Sequence, residues 1–109
     1  TINSLSKRYQ IADWHYSPAE EYKSLDFFIG KGFKVMPVTA FHFDALRMFL
    51  RDAEKRNIKT ALHTTWAVPN QEKLPIESMI WGGIYHWLGS KADNLPVKEL
   101  ATEYCRRFW

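Results

Sequence analysis

The chain has 109 residues, 46% of them hydrophobic, and a formal net charge of +3 at pH 7. This length and composition predict one domain with a hydrophobic core and exclude an extensively disordered chain. The basic residues are scattered, and no apolar run reaches the roughly 18 residues of a membrane-spanning helix, so neither nucleic acid nor a membrane is expected as a partner.

The polar residues 1–8 are expected to lead into the fold. The chain begins with Thr1 and reaches its first predicted strand within about ten residues, which favours a piece of a longer protein. Its single cysteine, Cys105, excludes an internal disulfide, and we expect it to pack as a small apolar residue on the last helix.

The first βα unit is a short buried strand over Tyr9 to Trp14 and a helix from Pro18 to about Ile29. Ser17 and Glu20 have the spacing of a capping box at the start of this helix. The sequence Gly30-Lys31-Gly32 predicts its end. The predicted buried side consists of Tyr22, Leu25, Phe28 and Ile29.

A second unit follows directly. Phe33 to Thr39 predict a strand buried on both faces, with Pro37 expected to disturb pairing near its end. A helix is predicted from about Asp44 to Arg56, and Asn57 supplies a C-terminal stop. Its predicted buried stripe consists of Ala45, Leu46, Phe49, Leu50 and Ala53.

The third unit has a strand over Ile58 to Trp66, a polar loop over 67–74, and a helix that Pro75 opens and Gly89 ends. After a link over 90–94, a last helix is predicted over 96–108. The predicted buried side of the third helix is Ile76, Met79, Ile80, Gly83, Ile84 and Trp87, and that of the last helix is Val97, Leu100, Ala101, Tyr104 and Phe108. Packing roles are assigned to Trp81, Trp87 and Trp109.

The order of elements is β-α-β-α-β-α-α with short turns, which is typical of parallel strands joined by right-handed helical crossovers. We predict an α/β fold in which residues 9–89 form three parallel βα units and residues 90–109 form a C-terminal helix. Three parallel strands leave open edges that need neighbours. The chain is therefore predicted to be the closing part of a larger sheet or barrel, and to associate with itself when isolated.

Polar and aromatic side chains gather where the predicted strands end, which is where parallel α/β folds bind ligands. Asp13, Trp14, His15 and Tyr16 follow the first strand, and Trp66 ends the third. Aromatic rings stack on the apolar faces of sugars while polar groups bond the hydroxyls. These five residues are the predicted substrate-binding residues.

The second strand end adds Thr39, Phe41 and His42 to this rim. For Asp13 the alternatives are that it orients a substrate group, that it holds a neighbouring His or Tyr, or that it satisfies turn amides. For Trp14 and Trp66 the alternative is packing.

Metal and nucleophile chemistry have little support in the sequence. His15, His42 and His63 come from three strand regions, yet the chain has no H-x-H or H-E-x-x-H spacing. It also has no G-x-S-x-G elbow. No metal, no cofactor and no catalytic residue is predicted within this chain.

Three features together resemble the last part of a glycoside hydrolase (β/α)8 barrel. They are an aromatic-rich strand end with an aspartate, a helix ending in a Gly-x-Gly-Phe turn, and a last strand closing in Thr64-Thr65-Trp66. The group most similar is the β-N-acetylhexosaminidase (chitobiase-like) family. The resemblance covers about Tyr9 to Leu88 and implies that the three units are the sixth, seventh and eighth of a barrel. It also implies a periplasmic, cell-surface or secreted location.

By this resemblance, Trp66 matches the tryptophan that helps wall the pocket for the terminal N-acetylated sugar. Asp13 and Tyr16 match the acidic and tyrosine positions near the sugar, although the family has the tyrosine before the aspartate and this chain has the reverse. The family's adjacent Asp-Glu pair, whose Glu protonates the leaving oxygen and whose Asp orients the substrate's acetamido group, is absent from these 109 residues.

The resemblance thus implies that the intact protein hydrolyses terminal N-acetylhexosamine residues from glycans. This chain would supply pocket walls and substrate contacts, pair with the N-terminal part of its own barrel, and be inactive alone. Two alternatives stay open: a stand-alone α/β binding or interaction module, and the closing part of a metal-dependent hydrolase barrel.

Overall fold

The computed structural model describes residues 1–66 and 76–108. They form a mixed α/β fold with three strands, four α-helices and two short 3-10 helices at Ile2–Ser4 and Gly89–Asn94. In chain order the main elements are β1 (Gln10–Trp14), α1 (Lys23–Gly30), β2 (Lys34–Thr39), α2 (Phe43–Lys55), β3 (Leu62–His63), α3 (Ile76–Leu88) and α4 (Val97–Phe108). Within the described ranges, no helix has the length and apolar character needed to span a bilayer.

The sheet confirms the predicted parallel order. The strands lie in the sequence β1-β2-β3, and all pairing between them is parallel. β1 pairs along its whole length, with Asp13 opposite Pro37, whereas β3 pairs only with Val38 and Thr39. Pairing on the β3 side therefore begins just after Pro37, which has no N–H to donate. The prediction of a strand over residues 58–66 was wrong in length, because only two of those residues join the sheet.

The described helices that contact the sheet lie against one of its faces. Asp13 bonds to Ser24 of α1, Val35 packs with residues of α1 and α2, and Thr39 contacts His86 of α3. The parallel register and the two-residue period of strands place these three strand positions on one face. The opposite face carries the exposed side chains of Gln10, Ala12, Trp14 and Leu62 and, between Trp14 and Leu62, the buried side chain of Val38.

Two hydrophobic clusters hold the helices, and α2 contributes to both. One joins α2 to α1 and β2, and the other joins α2 to α3 and α4. The predicted stripe of α2 is confirmed, because each of its five residues is buried. The predicted stop after this helix is also confirmed, since Asn57 adopts a left-handed φ of 58°. The first cluster contains Tyr22, Leu25, Val35, Phe49 and Ala53. The second contains Leu46, Leu50, Trp81, Tyr85, Ala92, Val97 and Ala101.

Helix α1 begins at Lys23, so the predicted start at Pro18 with a Ser17 cap was wrong. The reason is the side chain of Tyr22, whose hydroxyl accepts a bond from Ala19 N and donates one to Ser17 O, both 3.0 Å long. These bonds satisfy the backbone of the preceding loop without a helical turn. The predicted end is confirmed, because the helix stops at Gly30 and Gly32 adopts a φ of 80°. Ile29, predicted to be buried, is 41% exposed.

Helix α3 buries the predicted side only in part, because Ile80 and Ile84 are partly buried against the second cluster, and the packing role predicted for Trp81 is confirmed. Its buried residues are Ser78, Trp81, Gly82 and Tyr85, whereas Trp87 is 88% exposed, so the packing role predicted for Trp87 was wrong. The sequence of this helix is apolar over most of its circumference, so its hydrophobic pattern does not indicate a single buried side. Gly89 ends it as predicted, with a φ of 58°.

Helix α4 buries only part of its predicted side. Val97 and Ala101 are buried, but Leu100, Tyr104 and Phe108 are exposed. Cys105 on this helix is half-buried. The predictions for the loop over 67–74, for Pro75 and for Trp109 fall outside the described residues.

Gly82 allows α3 to approach the imidazole of His63 closely. A Cβ added at Gly82 would lie 2.6 to 2.8 Å from three atoms of that ring, while one added at Gly83 would meet nothing within 4 Å. We expect Gly82→Ala to lower the free energy of unfolding in urea by about 1–3 kcal/mol through overpacking. Gly83→Ala is the matched control and should be neutral or stabilising by up to about 1 kcal/mol, because alanine favours the helix. Equal effects of the two substitutions would contradict the close packing.

Candidate functional site

Five rings in successive contact lie at the carboxyl ends of the three strands. Their centroids are 5.3 Å apart for Trp66 and Trp14, 6.2 Å for Trp14 and Tyr16, 5.5 Å for Tyr16 and His42, and 4.6 Å for His42 and Phe41. We call this set the aromatic row. The two tryptophans, the tyrosine and the phenylalanine are each between 38% and 47% exposed, and His42 is exposed as well. Apolar rings with this much free surface in a contiguous set are typical of binding sites.

The row is assembled by the parallel sheet. Trp14 ends β1 and Tyr16 follows it, Phe41 and His42 follow β2, and Trp66 follows β3. Because the strands are parallel, their carboxyl ends meet at one edge. Alternation along β1 then places Trp14 on the side of the sheet away from the helices, and the ring of Tyr16 contacts it.

Thr64 fixes the chain between β3 and Trp66. Its N–H and its hydroxyl both donate to the carbonyl of Thr39, at 2.8 and 3.1 Å. These bonds continue the pairing of β2 and β3 by one residue and bring the backbone two residues before Trp66 against the end of β2. The position of Trp66 in the row therefore depends on a strand that is short but anchored beyond its end.

The other two predicted site residues, Asp13 and His15, lie on the helix side. The Asp13 side chain is buried and accepts a 2.6 Å bond from the hydroxyl of Ser24, and His15 Nε2 lies 2.8 Å from that hydroxyl and 3.3 Å from the carboxylate. The His15 ring also contacts the rings of Tyr22 and Phe49, at 4.8 and 4.9 Å. The geometry favours the alternative in which Asp13 holds a neighbouring histidine.

The Asp13, His15 and Ser24 cluster differs from a nucleophilic triad in its hydrogen bonds. In a triad the two imidazole nitrogens contact the serine and the carboxylate separately. Here the same Nε2 of His15 faces both groups, and the hydroxyl of Ser24 donates its hydrogen bond to Asp13. The cluster can hold the end of β1 against α1, but it does not activate the serine.

A second polar cluster lies at the end of β2, where the hydroxyl of Thr39 bridges two histidines. It lies 3.0 Å from His63 Nδ1 and 2.9 Å from His86 Nε2. Burial, together with a smaller effect of the nearby His63, lowers the pKa of His86 to about 4. Burial also lowers the pKa of His63, against a bond to the backbone of Ser78 that raises it. Both imidazoles are therefore neutral at pH 7.

The described residues contain no cluster of side chains that would hold a metal ion. In residues 1–66 and 76–108, no three His, Cys, Asp or Glu side chains come together as metal ligands. His15 contacts Asp13 and Ser24, His42 contacts the rings of Tyr16 and Phe41, and His63 contacts Thr39. His15, His42 and His63 thus lie in three separate surroundings.

A pocket of about 650 Å³ opens elsewhere, between α2, the end of α3 and the segment before β3. Aliphatic side chains and the rings of Tyr85, His86 and Trp87 line it together with Glu54, Lys59 and Lys91, and none of the five rings of the aromatic row belongs to it. This mixed lining does not favour one class of ligand. The aromatic row carries the clearer chemical signal.

The sequence interpretation left three residues of this region out of the predicted site. Phe41 and His42 were assigned to the rim but not to the site, although their position after β2 was the same signal that selected Trp14 and Trp66. Ser24 had no signal, because its partner Asp13 is on another element and their contact appears only in the fold.

No protein-family model matches this chain, and no curated protein sequence matches it. The fold class that the structure defines is mixed α/β with a parallel three-stranded sheet. Its resemblance to the hexosaminidase barrel, and the roles of its five predicted site residues, stay predictions.

Proposed function

We propose that the aromatic row is one wall of a carbohydrate-binding site, and that the chain is the closing part of a glycoside hydrolase (β/α)8 barrel acting on terminal N-acetylhexosamine. The observation that carries the proposal is the pair of half-exposed indoles of Trp14 and Trp66, 5.3 Å apart at the carboxyl edge of a parallel sheet. Indole faces are apolar and flat, and they suit the C–H face of a pyranose.

The arrangement of the layers supports the barrel part of the proposal. Strands that follow one another in the order β1-β2-β3 with right-handed crossovers put their helices on the same face, and a barrel needs all its helices outside. In such a barrel the exposed face with Gln10, Ala12, Trp14 and Leu62 would point inward. The free edges of β1 and β3 would pair with strands from the N-terminal part of the barrel. Self-association of the isolated chain stays a prediction from these edges.

The proposal assigns different tasks to the predicted site residues. Trp66, Trp14 and Tyr16 contact the sugar, while Asp13 and His15 fix the strand end that presents them. The chain contains no Asp-Glu pair, so under this proposal a protonated glutamic acid elsewhere in the intact protein donates its proton to the leaving oxygen. The isolated chain is accordingly expected to show no turnover of an aryl N-acetylglucosaminide.

The test is substitution of Trp66 in the full-length protein that contains this chain. We expect Trp66→Ala to lower kcat/KM for an aryl β-N-acetylglucosaminide by about tenfold or more, because a stacking surface at the sugar is lost. Trp87→Ala is the matched control, since Trp87 is 88% exposed on α3 and lies outside the row. Absence of any hydrolysis by the parent protein, or equal kcat/KM for Trp66→Ala and Trp87→Ala, would overturn the proposal.

A further inference from the structure

The fold gathers basic side chains that are scattered along the sequence. They lie in the segments that lead into the three strands, and in a parallel sheet the amino ends of the strands meet at one end of the sheet. Residues 5–10, 30–34 and 55–61 contain no Asp or Glu. We call the five exposed cations next to the strand starts the basic face; they are Lys7, Arg8, Lys31, Lys34 and Lys59.

Contacts between these segments hold the basic face together. Lys7 Nζ lies 3.6 Å from the ring centroid of Phe33, so the residues before β1 and β2 are adjacent. Gln10 Nε2 donates a 2.8 Å bond to Thr60 Oγ1, which connects the start of β1 to the segment before β3. Gln10 also lies opposite Lys34 in the sheet register. The face is therefore a row of cations across three neighbouring strands, which are spaced about 4.8 Å apart.

The charge of the basic face has no partner in the described part of the chain. Its members form no ion pair with any residue in 1–66 or 76–108, whereas Arg51 and Arg56 on α2 do. Glu54 at the end of α2 accepts the N–H of Ser90 at 3.1 Å. The negative end of a helix explains Lys31, which follows α1 directly. It does not explain the cations that precede β1 or begin β2.

The other end of the sheet has the opposite charge pattern. Residues 15–22 and 40–44, which follow β1 and β2, contain Glu20, Glu21 and Asp44 and no Lys or Arg. An anionic polymer is therefore attracted to the basic face and not to the end with the aromatic row. The two ends are about 16 Å apart along the five residues of β1. The basic face is thus separate from the candidate substrate site.

We propose that the basic face docks the protein on an anionic polysaccharide, with the aromatic row turned away from the polymer. Tyr9 favours a polysaccharide over other polyanions. At 63% exposure, it is the single large hydrophobic side chain exposed in residues 6–10, 30–34 and 58–61. One flat ring beside Arg8 suits a sugar that carries sulfate or carboxylate groups. Single-stranded nucleic acids are bound by several such rings, and a membrane surface requires an apolar face that inserts.

The test is binding of a fluorescently labelled chondroitin sulfate oligosaccharide to the full-length protein that contains this chain. Between about 50 and about 200 mM NaCl the Kd should rise at least about fivefold, because salt screens exposed charges. Lys31→Gln combined with Lys59→Gln should raise the Kd about tenfold at the lower salt concentration. The matched control is Lys23→Gln with Lys98→Gln, which removes the same charge at the starts of α1 and α4 and should change the Kd less than about twofold. Equal effects of the two double variants would overturn the inference.

Tyr9→Ala tests the contact with the sugar, and Tyr9→Phe is its control because it keeps the ring. We expect Tyr9→Ala to raise the Kd about fivefold and Tyr9→Phe to leave it unchanged. Polyglutamate, oligothymidylate and phosphatidylserine vesicles should each bind at least about tenfold more weakly than chondroitin sulfate. If one of these three binds as tightly, or if Tyr9→Ala binds chondroitin sulfate like the parent, the polysaccharide is the wrong partner.

Trp66→Ala separates this inference from the proposed function. It should leave binding of chondroitin sulfate unchanged, because Trp66 lies at the other end of the sheet. If it weakens binding as much as the Lys31 and Lys59 double variant does, the polymer lies on the aromatic row and the docking site is wrong. If the parent protein hydrolyses no N-acetylglucosaminide but binds chondroitin sulfate through the basic face, the proposed function fails and the docking site stands.

Discussion

Arg56→Met is expected to lower the free energy of unfolding by about 3 kcal/mol, because it leaves a buried carboxylate without its cation. Asp52 is 2% exposed and lies 2.5 Å from Arg56 Nη1. The same guanidinium bonds Asp26 through two nitrogens, each 2.7 Å from a carboxylate oxygen. Asp52 also accepts the N–H of Tyr22 at 2.7 Å, so this one carboxylate connects α2 to the start of α1.

The matched control is Arg106→Met on α4. Arg106 pairs with Glu103 at 2.8 Å, but its side chain is 78% exposed, and exposed pairs contribute at most about 1 kcal/mol. The double variant Arg56→Met with Asp52→Asn should recover part of the loss, because the amide oxygen still accepts the Tyr22 N–H and no charge stays buried. Urea unfolding followed by circular dichroism measures all three. A loss for Arg56→Met no larger than that for Arg106→Met would show that the buried pair is not needed.

Acidification is expected to destabilise the fold through His86, starting at about pH 6.5. The pKa of His86 is about 4 in the folded protein and 6.5 in the unfolded chain, so below pH 6.5 the unfolded state binds the proton more readily. Stability is complete above pH 6.5 and falls as the pH drops towards 4. At about 1.36 kcal/mol per pH unit, the loss reaches about 2 kcal/mol at pH 5.

The measurement is the free energy of urea unfolding at pH 7.5 and at pH 5. His86→Gln removes the titrating group while retaining a side chain that can bond Thr39, and it should make the two values more nearly equal. His63, whose pKa is also lowered by burial, adds to the loss in the same direction. His42→Gln, a substitution on the exposed rim, should retain the dependence on pH. If the free energy of unfolding falls between pH 7.5 and pH 5 by as much in His86→Gln as in the unsubstituted protein, His86 is not the origin of the pH dependence.

The parts of the fold that the sequence predicted are those governed by local rules. The stripe from Ala45 to Ala53 repeats at helical spacing on a helix with a polar opposite side, and all its members are buried. Gly32, Asn57 and Gly89 adopt left-handed φ values where helices end, because glycine has no Cβ and asparagine tolerates this conformation. Such signals depend on a few neighbouring residues, and tertiary contacts did not override them.

The errors arose where a distant side chain replaced a local partner. The Ser17 cap was predicted from three neighbouring residues, but Tyr22 and Asp52 hold that loop, and Asp52 lies 30 residues further along the chain. Trp81 was correctly assigned to packing, but Trp87 was not, because the sequence of α3 is largely apolar and only the packing against α2 and α4 selects Tyr85 and leaves Trp87 exposed. The edge bearing the candidate site was predictable from strand ends, whereas the contact between Asp13 and Ser24 was not.

The pairing of β1 with β2 decides which side chains reach the edge that bears the aromatic row. With Ile11 opposite Val35, Trp14 faces away from the helices and Asp13 faces them. A slip of one residue would reverse every side chain of the strand. It would turn a carboxylate towards the aromatic row and force an indole against α1. The register of β1 thus decides whether the open face of the strand ends in an aromatic or an acidic side chain.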